Sequence, residues 1–390
     1  MERLSTDSKV FVLETLLLFG IVFCIMQQKS SIVSILFHVT FFLLVFAFAL
    51  QLWMTPKLNG LHVLVIVTIL LSFIHVSIQA DKISFSYYKK LIIFSCTMMM
   101  LPIADGMHVN KKLVDWVLGI NMVIALLYVI MYWGFKVRTQ IDIYLAMNFS
   151  NPNAAGMFIV HSLLYCILAF YRYRHWLFRL AVVALFLLLF WLMRKTGTRS
   201  ALLALIGFGG LTAFNVVLKK EVRISPKISF FLVLAPFLIA IVYLILSKGD
   251  FLERFFSSFV ARGKKLDSRV SIWEYALGYY RQSPILGAYN GISGGSGMSQ
   301  MHNTHIDVLV SYGTIPFALF ILTMHVGVTK ILNIARSEFG HMCIFAFYAV
   351  LLLGTFEAAL VSGGVGLYIL SFGFLILAKY DPKLDEMEMY

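Results

Sequence analysis

An all-α polytopic membrane protein is the fold class the sequence predicts, and three observations predict it. Hydrophobic residues make up 60% of the 390, charged residues only 13%, and mean hydropathy is +0.87. A soluble domain runs nearer to roughly 45–50% apolar and 25% charged. The apolar residues gather into about twelve runs, most near the roughly 17–25 residues that a helix needs to cross a bilayer. These runs are continuous and lack the short alternating segments of a membrane barrel. Spans and short turns use almost the whole chain, so residues 1–390 read as a single integral membrane domain with no room for a soluble one.

The spans fall near 10–27, 31–52, 61–78, 90–104, 113–134, 154–171, 176–193, 200–218, 228–247, 306–329, 341–357 and 364–378. The first has no small-residue cleavage site and runs straight into the second, so it reads as a retained helix and not a removed signal peptide. Cys24, Cys96, Cys166 and Cys343 each sit in a different span. That scatter fits neither a disulfide framework nor a zinc site. The net charge of +13 points to anionic partners, either membrane lipid head groups or a phosphate-bearing substrate. Nucleic acid is excluded, because no basic surface outside the spans is large enough.

Twelve spans with the N-terminus inside put both termini in the cytoplasm. The basic residues then divide evenly, but seven of the outward ones lie in one long loop, 248–304: Lys248, Arg254, Arg262, Lys264, Lys265, Arg269 and Arg281. The orientation rule weighs short loops near span ends, and without the long loop the inside is richer. A long outward loop with this much positive charge either stays wet through it or binds an anion.

Four polar clusters interrupt the hydrocarbon. FSNPNAAG (149–156) precedes the sixth span, and Asn153 is placed to cap a helix opening at Ala154. RKTGTRSALLAL (194–205) is a tight turn in which Thr198 or Gly197 serves as a cap. Arg199 there either snorkels to head groups or uses its planar fork, beside a helix N-terminus, to hold phosphate. DSRVSIWEYALGYYRQSPILGAYNG (267–291) has Val270, Trp273, Leu277 and Tyr280 at helical spacing, a short amphipathic helix on the outer membrane face with Trp273 at the interface. Arg269 at its start opposes the helix dipole, and an anionic ligand would give it a reason. The glycines that follow, Gly287, Gly291, Gly294, Gly295 and Gly297, lack the Lys-Ser/Thr of a P-loop and read as a mobile loop.

The fourth cluster is GMSQMHNTHIDVLVSYGTIP (297–316), leading into the tenth span. His302 and His305 at i, i+3 share a face if the helix includes both. Three readings stand: a metal site with Asp307 or a distant third ligand, a structural histidine, or a general base, the role imidazole fills best near neutral pH. The topology puts Asn153, Arg199, Arg269 and His302 on the same outward side. Inward loops hold Lys and Arg but no such mixture of Arg, His and Asn beside glycines.

These residues resemble the O-antigen ligase and Wzy polysaccharide polymerase superfamily. Its members show Asn-Pro-Asn-x-x-Gly, a Thr-x-Ser/Thr-Arg-Ser/Gly-Ala, then an outward loop with Arg-x-x-x-Trp, Pro-x-x-Gly and His-Asn before a span containing Gly. The counterparts here are NPNAAG (151–156), TGTRSA (196–201), RVSIW (269–273), SPILG (283–287) and HNTHIDVLVSYG (302–313). The sequence departs from the pattern at His305 and Ile306, and at the Ala-Tyr-Asn after SPILG.

The resemblance implies an inverting glycosyltransferase of the C type that needs no metal or nucleotide sugar. It would act at the outer face of a bacterial cytoplasmic membrane on an oligosaccharide carried by undecaprenyl pyrophosphate. His302 would be the base, Arg199 and Arg269 would hold the diphosphate, and the supporting candidates are Asn153, Thr198, Trp273 and Asn303 from the matching motifs together with Glu357, which its place at the outward end of an apolar run would set in the same cavity. The implied product is a polymerised surface polysaccharide: capsule, exopolysaccharide or O-antigen. The alternative within the superfamily is a ligase moving a finished glycan to lipid, peptidoglycan or protein. A chain-length regulator and a flippase are the implied protein partners. A transporter for the same lipid-linked sugar is the reading from another class. It would place ionisable groups in mid-span and repeat its broken helices, whereas the polar groups here cluster at outward ends and no internal repeat is visible. Glu357, His75 and His161 lie within or near apolar runs, Glu357 close to the outward end of its own.

Overall fold

A computed structural model describes residues 31–54, 59–79, 85–107, 109–141, 143–147, 149, 151–217, 224–247, 267–289, 301–358, 360 and 365–381. The first span expected from the sequence, near 10–27, and much of the long loop, 248–266 and 290–300, lie outside the described residues. The described chain is helical apart from one two-residue antiparallel ladder, Gln140–Ile141 with Tyr144–Leu145. In order the helices are α1 (Ser31–Met54), α2 (Gly60–Gln79), α3 (Phe85–Gly106), α4 (Lys111–Trp133), α5 (Pro152–Arg172), α6 (Trp176–Thr196), α7 (Arg199–Val217) and α8 (Pro226–Ser247). They continue with α9 (Asp267–Gln282), α10 (Thr304–Tyr312), α11 (Thr314–Ile334), α12 (Glu338–Leu353) and α13 (Val365–Leu377). Six of these, α2, α4, α5, α6, α8 and α11, are long and apolar enough to cross a membrane. The chain is a multi-pass membrane protein.

Helix α5 sits deep in the bundle, with fourteen residues from Ala155 to Ala169 buried, whereas α6 exposes Leu180, Val183 and Leu187 along its length. An apolar outer face is what lipid requires, and several polar groups of the interior are paired. His161 Nδ1 donates to Met157 O at 2.7 Å with its Nε2 2.9 Å from Ser371 Oγ, and Tyr165 donates to Leu370 O. The described cysteines, Cys96, Cys166 and Cys343, are buried.

The polar contacts define two ends. At one, Asp105 meets Lys330 at 3.3 Å, Tyr173 donates to Asp115 at 2.8 Å, and Arg172 donates to the Tyr380 hydroxyl at 3.1 Å. Lys379 there donates to Ala104 O at the end of α3. At the other end lie the start of α5, the turn between α6 and α7, helix α9 and the entry to α10. Helix α7 runs antiparallel to α12, so close that a Cβ on Gly207 would fall 2.5 Å from Leu352 Cδ1.

The expected tenth span, 306–329, is two helices. Gly313, at φ +88° and ψ 178°, breaks it in a region that only glycine adopts readily. The SPILG loop fills the break: Ala288 N donates to Val310 O at 2.7 Å and Thr314 N donates to Pro284 O at 2.9 Å. A Cβ on Gly313 would meet Ile285 O at 1.9 Å, and one on Gly287 would meet Gly313 N at 2.7 Å. Gly287 is therefore part of a tight backbone junction, not of the mobile loop expected from its glycine-rich surroundings. Irregular backbone at membrane depth is tolerated where protein covers it, and this loop is the cover.

Candidate active site

Three side chains converge at the entry to α10. Glu357, in the irregular segment after α12, accepts from Arg269 Nη2 at Oε1 (2.7 Å) and lies 3.3 Å from His302 Nδ1 through Oε2. The Glu357 side chain is 4% exposed, while those of Arg269 and His302 are 22% and 26% exposed. The carboxylate is thus a buried bridge with both partners reaching toward solvent. Nδ1–H donates to the carboxylate, which leaves Nε2 of a neutral ring as the acceptor, the arrangement of a general base held by a carboxylate.

The backbone around His302 is built for this. His302 itself has φ +49°, an uncommon conformation for a residue with a side chain. Asn303 follows as the N-cap of α10, its Oδ1 accepting from His305 N (2.9 Å) and Ile306 N (2.8 Å). Its Nδ2 donates to Thr355 O at 2.8 Å and Pro236 O at 3.1 Å. Thr304 adds two more ties, N to Gly354 O at 2.9 Å and Oγ1 to Glu357 O at 3.3 Å. The chain at 303–304 is laced to the chain at 354–357, which brings Glu357 to His302.

Trp273 is not at the membrane interface, as its aromatic-belt reading expected. It is fully buried, stacks on Phe356 at 6.0 Å and donates from Nε1 to Met301 O at 2.7 Å. Position 273 falls on the same face of α9 as Arg269, so the helix uses that face for the site and not for lipid. Arg269 is explained by Glu357, which compensates its unfavourable place near the helix start.

His302 precedes α10 and His305 lies on it, so the two do not share a helix face. His305 turns the other way: Nε2 donates to Val233 O at 2.8 Å, and the ring packs against Phe320 at 5.4 Å. Pro236 interrupts the ladder of α8, and the carbonyls of Val233 and Pro236 beside it are taken up by His305 and Asn303. Asp307 is equally engaged, with the Lys90 ammonium and Ser311 as its partners. The metal reading of this cluster fails on these directions, since its three side chains face three different elements.

Asn153, Thr198 and Arg199 lie at the start of α5 and the turn into α7 and do not join the trio. Asn151, not Asn153, caps α5, accepting from Asn153 N at 2.8 Å with Pro152 in the first turn. Asn153 is half-buried beside it. Thr198 donates to Pro152 O at 3.2 Å and lies 2.9 Å from Thr196 Oγ1. A Cβ on Gly156 would fall 2.1 Å from Thr198 Oγ1, so the glycine of NPNAAG is the seat of the threonine of TGTRSA. Arg199 is exposed at the start of α7, with no contact to the trio among the described residues. It stands about 12 Å along the helix from Gly207, toward the end at which Leu352 leads into Glu357. The sequence reading undervalued Glu357; the available signal was a carboxylate at the edge of an apolar run, where a charge is costly unless paired.

The family model described as O-antigen ligase (Wzy_C) matches residues 184–321, which supports the resemblance to the O-antigen ligase and Wzy superfamily. The matched segment includes Arg199, Arg269 and His302 and stops short of Glu357. No curated protein matches the chain.

Proposed function

Taking residues 184–321 as an O-antigen ligase-type segment, we propose that this protein is a polysaccharide polymerase of the Wzy type. It joins oligosaccharide repeat units carried on undecaprenyl pyrophosphate at the outer face of the cytoplasmic membrane, both termini lying in the cytoplasm. The observation that carries the reading is the Arg269–Glu357–His302 cluster: a base held by a carboxylate, beside a guanidinium suited to diphosphate.

In the proposed reaction the hydroxyl oxygen of the acceptor sugar attacks the anomeric carbon of the donor. The bond from that carbon to the diphosphate oxygen breaks, and its electron pair stays on the leaving diphosphate. The hydroxyl proton passes to His302 Nε2. A guanidinium has five N–H donors, so Arg269 can keep Glu357 and still hold a phosphate oxygen, with Arg199 as the second cation. Charge-assisted contacts of this kind stabilise a departing anion. Attack opposite the leaving group inverts the anomeric centre. Because arginines meet the diphosphate charge, the chemistry runs without a metal, and activity is expected to survive strong chelation.

Gene deletion with analysis of surface polysaccharide tests the reading. Single lipid-linked repeats should accumulate and long chains vanish. Full-length chains that stay on the undecaprenyl carrier would instead identify a ligase, the function named in the matched family's description. Loss of outward lipid-linked sugar altogether would identify a transporter.

A further inference from the structure

We infer that Glu357 is a positioning residue that couples diphosphate binding at Arg269 to proton abstraction at His302; the inference rests on the proposed donor and base. The geometry is asymmetric. Arg269 Nη2 holds Oε1 at 2.7 Å, whereas His302 Nδ1 is 3.3 Å from Oε2. The carboxylate is held mainly by the guanidinium. Arg269 Nη1 is buried and has no hydrogen-bond partner among the described residues. A buried, unpaired guanidinium nitrogen is costly, and a phosphate oxygen is the acceptor whose charge and shape suit it.

A diphosphate that engages Arg269 shares its positive charge and weakens its claim on Oε1. Glu357 then turns its charge to His302, favouring the imidazolium that forms as the proton leaves the acceptor hydroxyl. The base is thus strengthened when a leaving group is present. Among the described residues, α8 and α10 present Pro236, Asn303 and Thr304, none of which titrates near neutral pH, and His305 faces Val233 O. The segment 354–358 contributes Glu357, and α9 contributes Arg269.

The test follows the titration of His302 by nitrogen-15 NMR in the full-length, histidine-labelled protein in nanodiscs, with and without inorganic pyrophosphate. The His302 signal is identified by its loss in His302→Asn. In the unsubstituted protein, pyrophosphate is expected to raise the His302 midpoint. In Glu357→Gln the rise should be smaller by about one pH unit, the scale of a nearby opposite charge. Equal rises in the two proteins would overturn the coupling, because the charge of pyrophosphate alone would then account for the shift. If Glu357→Gln is not recovered from membranes, Glu357→Asp serves, since it keeps the charge but is too short to reach both partners, and the same reduced rise is expected. Failure of the base assignment is distinguishable: His302→Asn would then retain polymerisation, whatever the titration shows.

Discussion

The Glu357 carboxylate is itself almost closed to solvent, and this is tolerable because each oxygen has its own donor. Removing one member of such a cluster leaves the others exposed to the full cost of burial. The proposed roles predict different losses. His302→Asn deletes the base while suiting the backbone, since Asn tolerates the left-handed conformation found at φ +49°. Polymer formation in membranes should fall by about 10²-fold or more, with normal protein abundance. Retained chain length in that variant would sink the base assignment. Trp273→Phe keeps most of the stacking on Phe356 but removes the donor to Met301 O. One buried carbonyl is left unpaired at a cost of about 1–3 kcal/mol. The thermal midpoint of the purified protein should drop, and activity should fall less than in the histidine variant.

At the scale of elements, the site depends on irregular pieces between helices more than on the helices themselves. Helix α10 can begin at Thr304 only because Asn303 caps it and because the 354–357 segment supplies acceptors beside it. It can end at Gly313 only because SPILG replaces the backbone partners lost at the break. Gly313→Ala places a Cβ against Ile285 O and strains the backbone by about 1–3 kcal/mol before any clash is counted. The expected result is a lower thermal midpoint together with loss of activity, measured on detergent-solubilised protein; an unchanged midpoint would show that the junction relaxes. Much of this level was legible in the sequence. Five spans expected from hydropathy, near 61–78, 113–134, 154–171, 176–193 and 228–247, coincide with helices long and apolar enough to cross a membrane, and α9 followed from the spacing of Val270, Trp273, Leu277 and Tyr280. What periodicity could not supply was direction: a wheel shows that Trp273 and Arg269 share a face, but not whether lipid or protein lies against it. Nor could an apolar run reveal the break at Gly313, whose partner loop is nearly thirty residues away in the chain, or distinguish Asn151 from Asn153 as the cap, a choice made by the ring of Pro152 in the first turn.

The whole molecule has two polar ends of different character. One holds Lys111, Lys112, Arg172, Lys330 and Lys379, and several of its contacts serve to finish helices. The other holds Arg269, His302, Glu357 and Arg199, with Tyr275 and Tyr279 forming an exposed ring pair on α9. On the proposed reading, the short-loop charge bias with the long loop set aside turns the first end inward and the candidate site outward, where a lipid-linked saccharide would be met after export. Single cysteines at Arg281 and Lys112, both exposed and at opposite ends, test that assignment in a chain whose four native cysteines are replaced by serine. Arg281→Cys should react with a membrane-impermeant thiol reagent in intact cells. Lys112→Cys should react only after the membrane is opened. The reverse pattern would put the cluster on the cytoplasmic side and sink the proposed reaction at the outer face. Labelling of both positions in intact cells would mean that the charge bias does not orient this chain, and the side of the site would then have to be fixed by the substrate it meets.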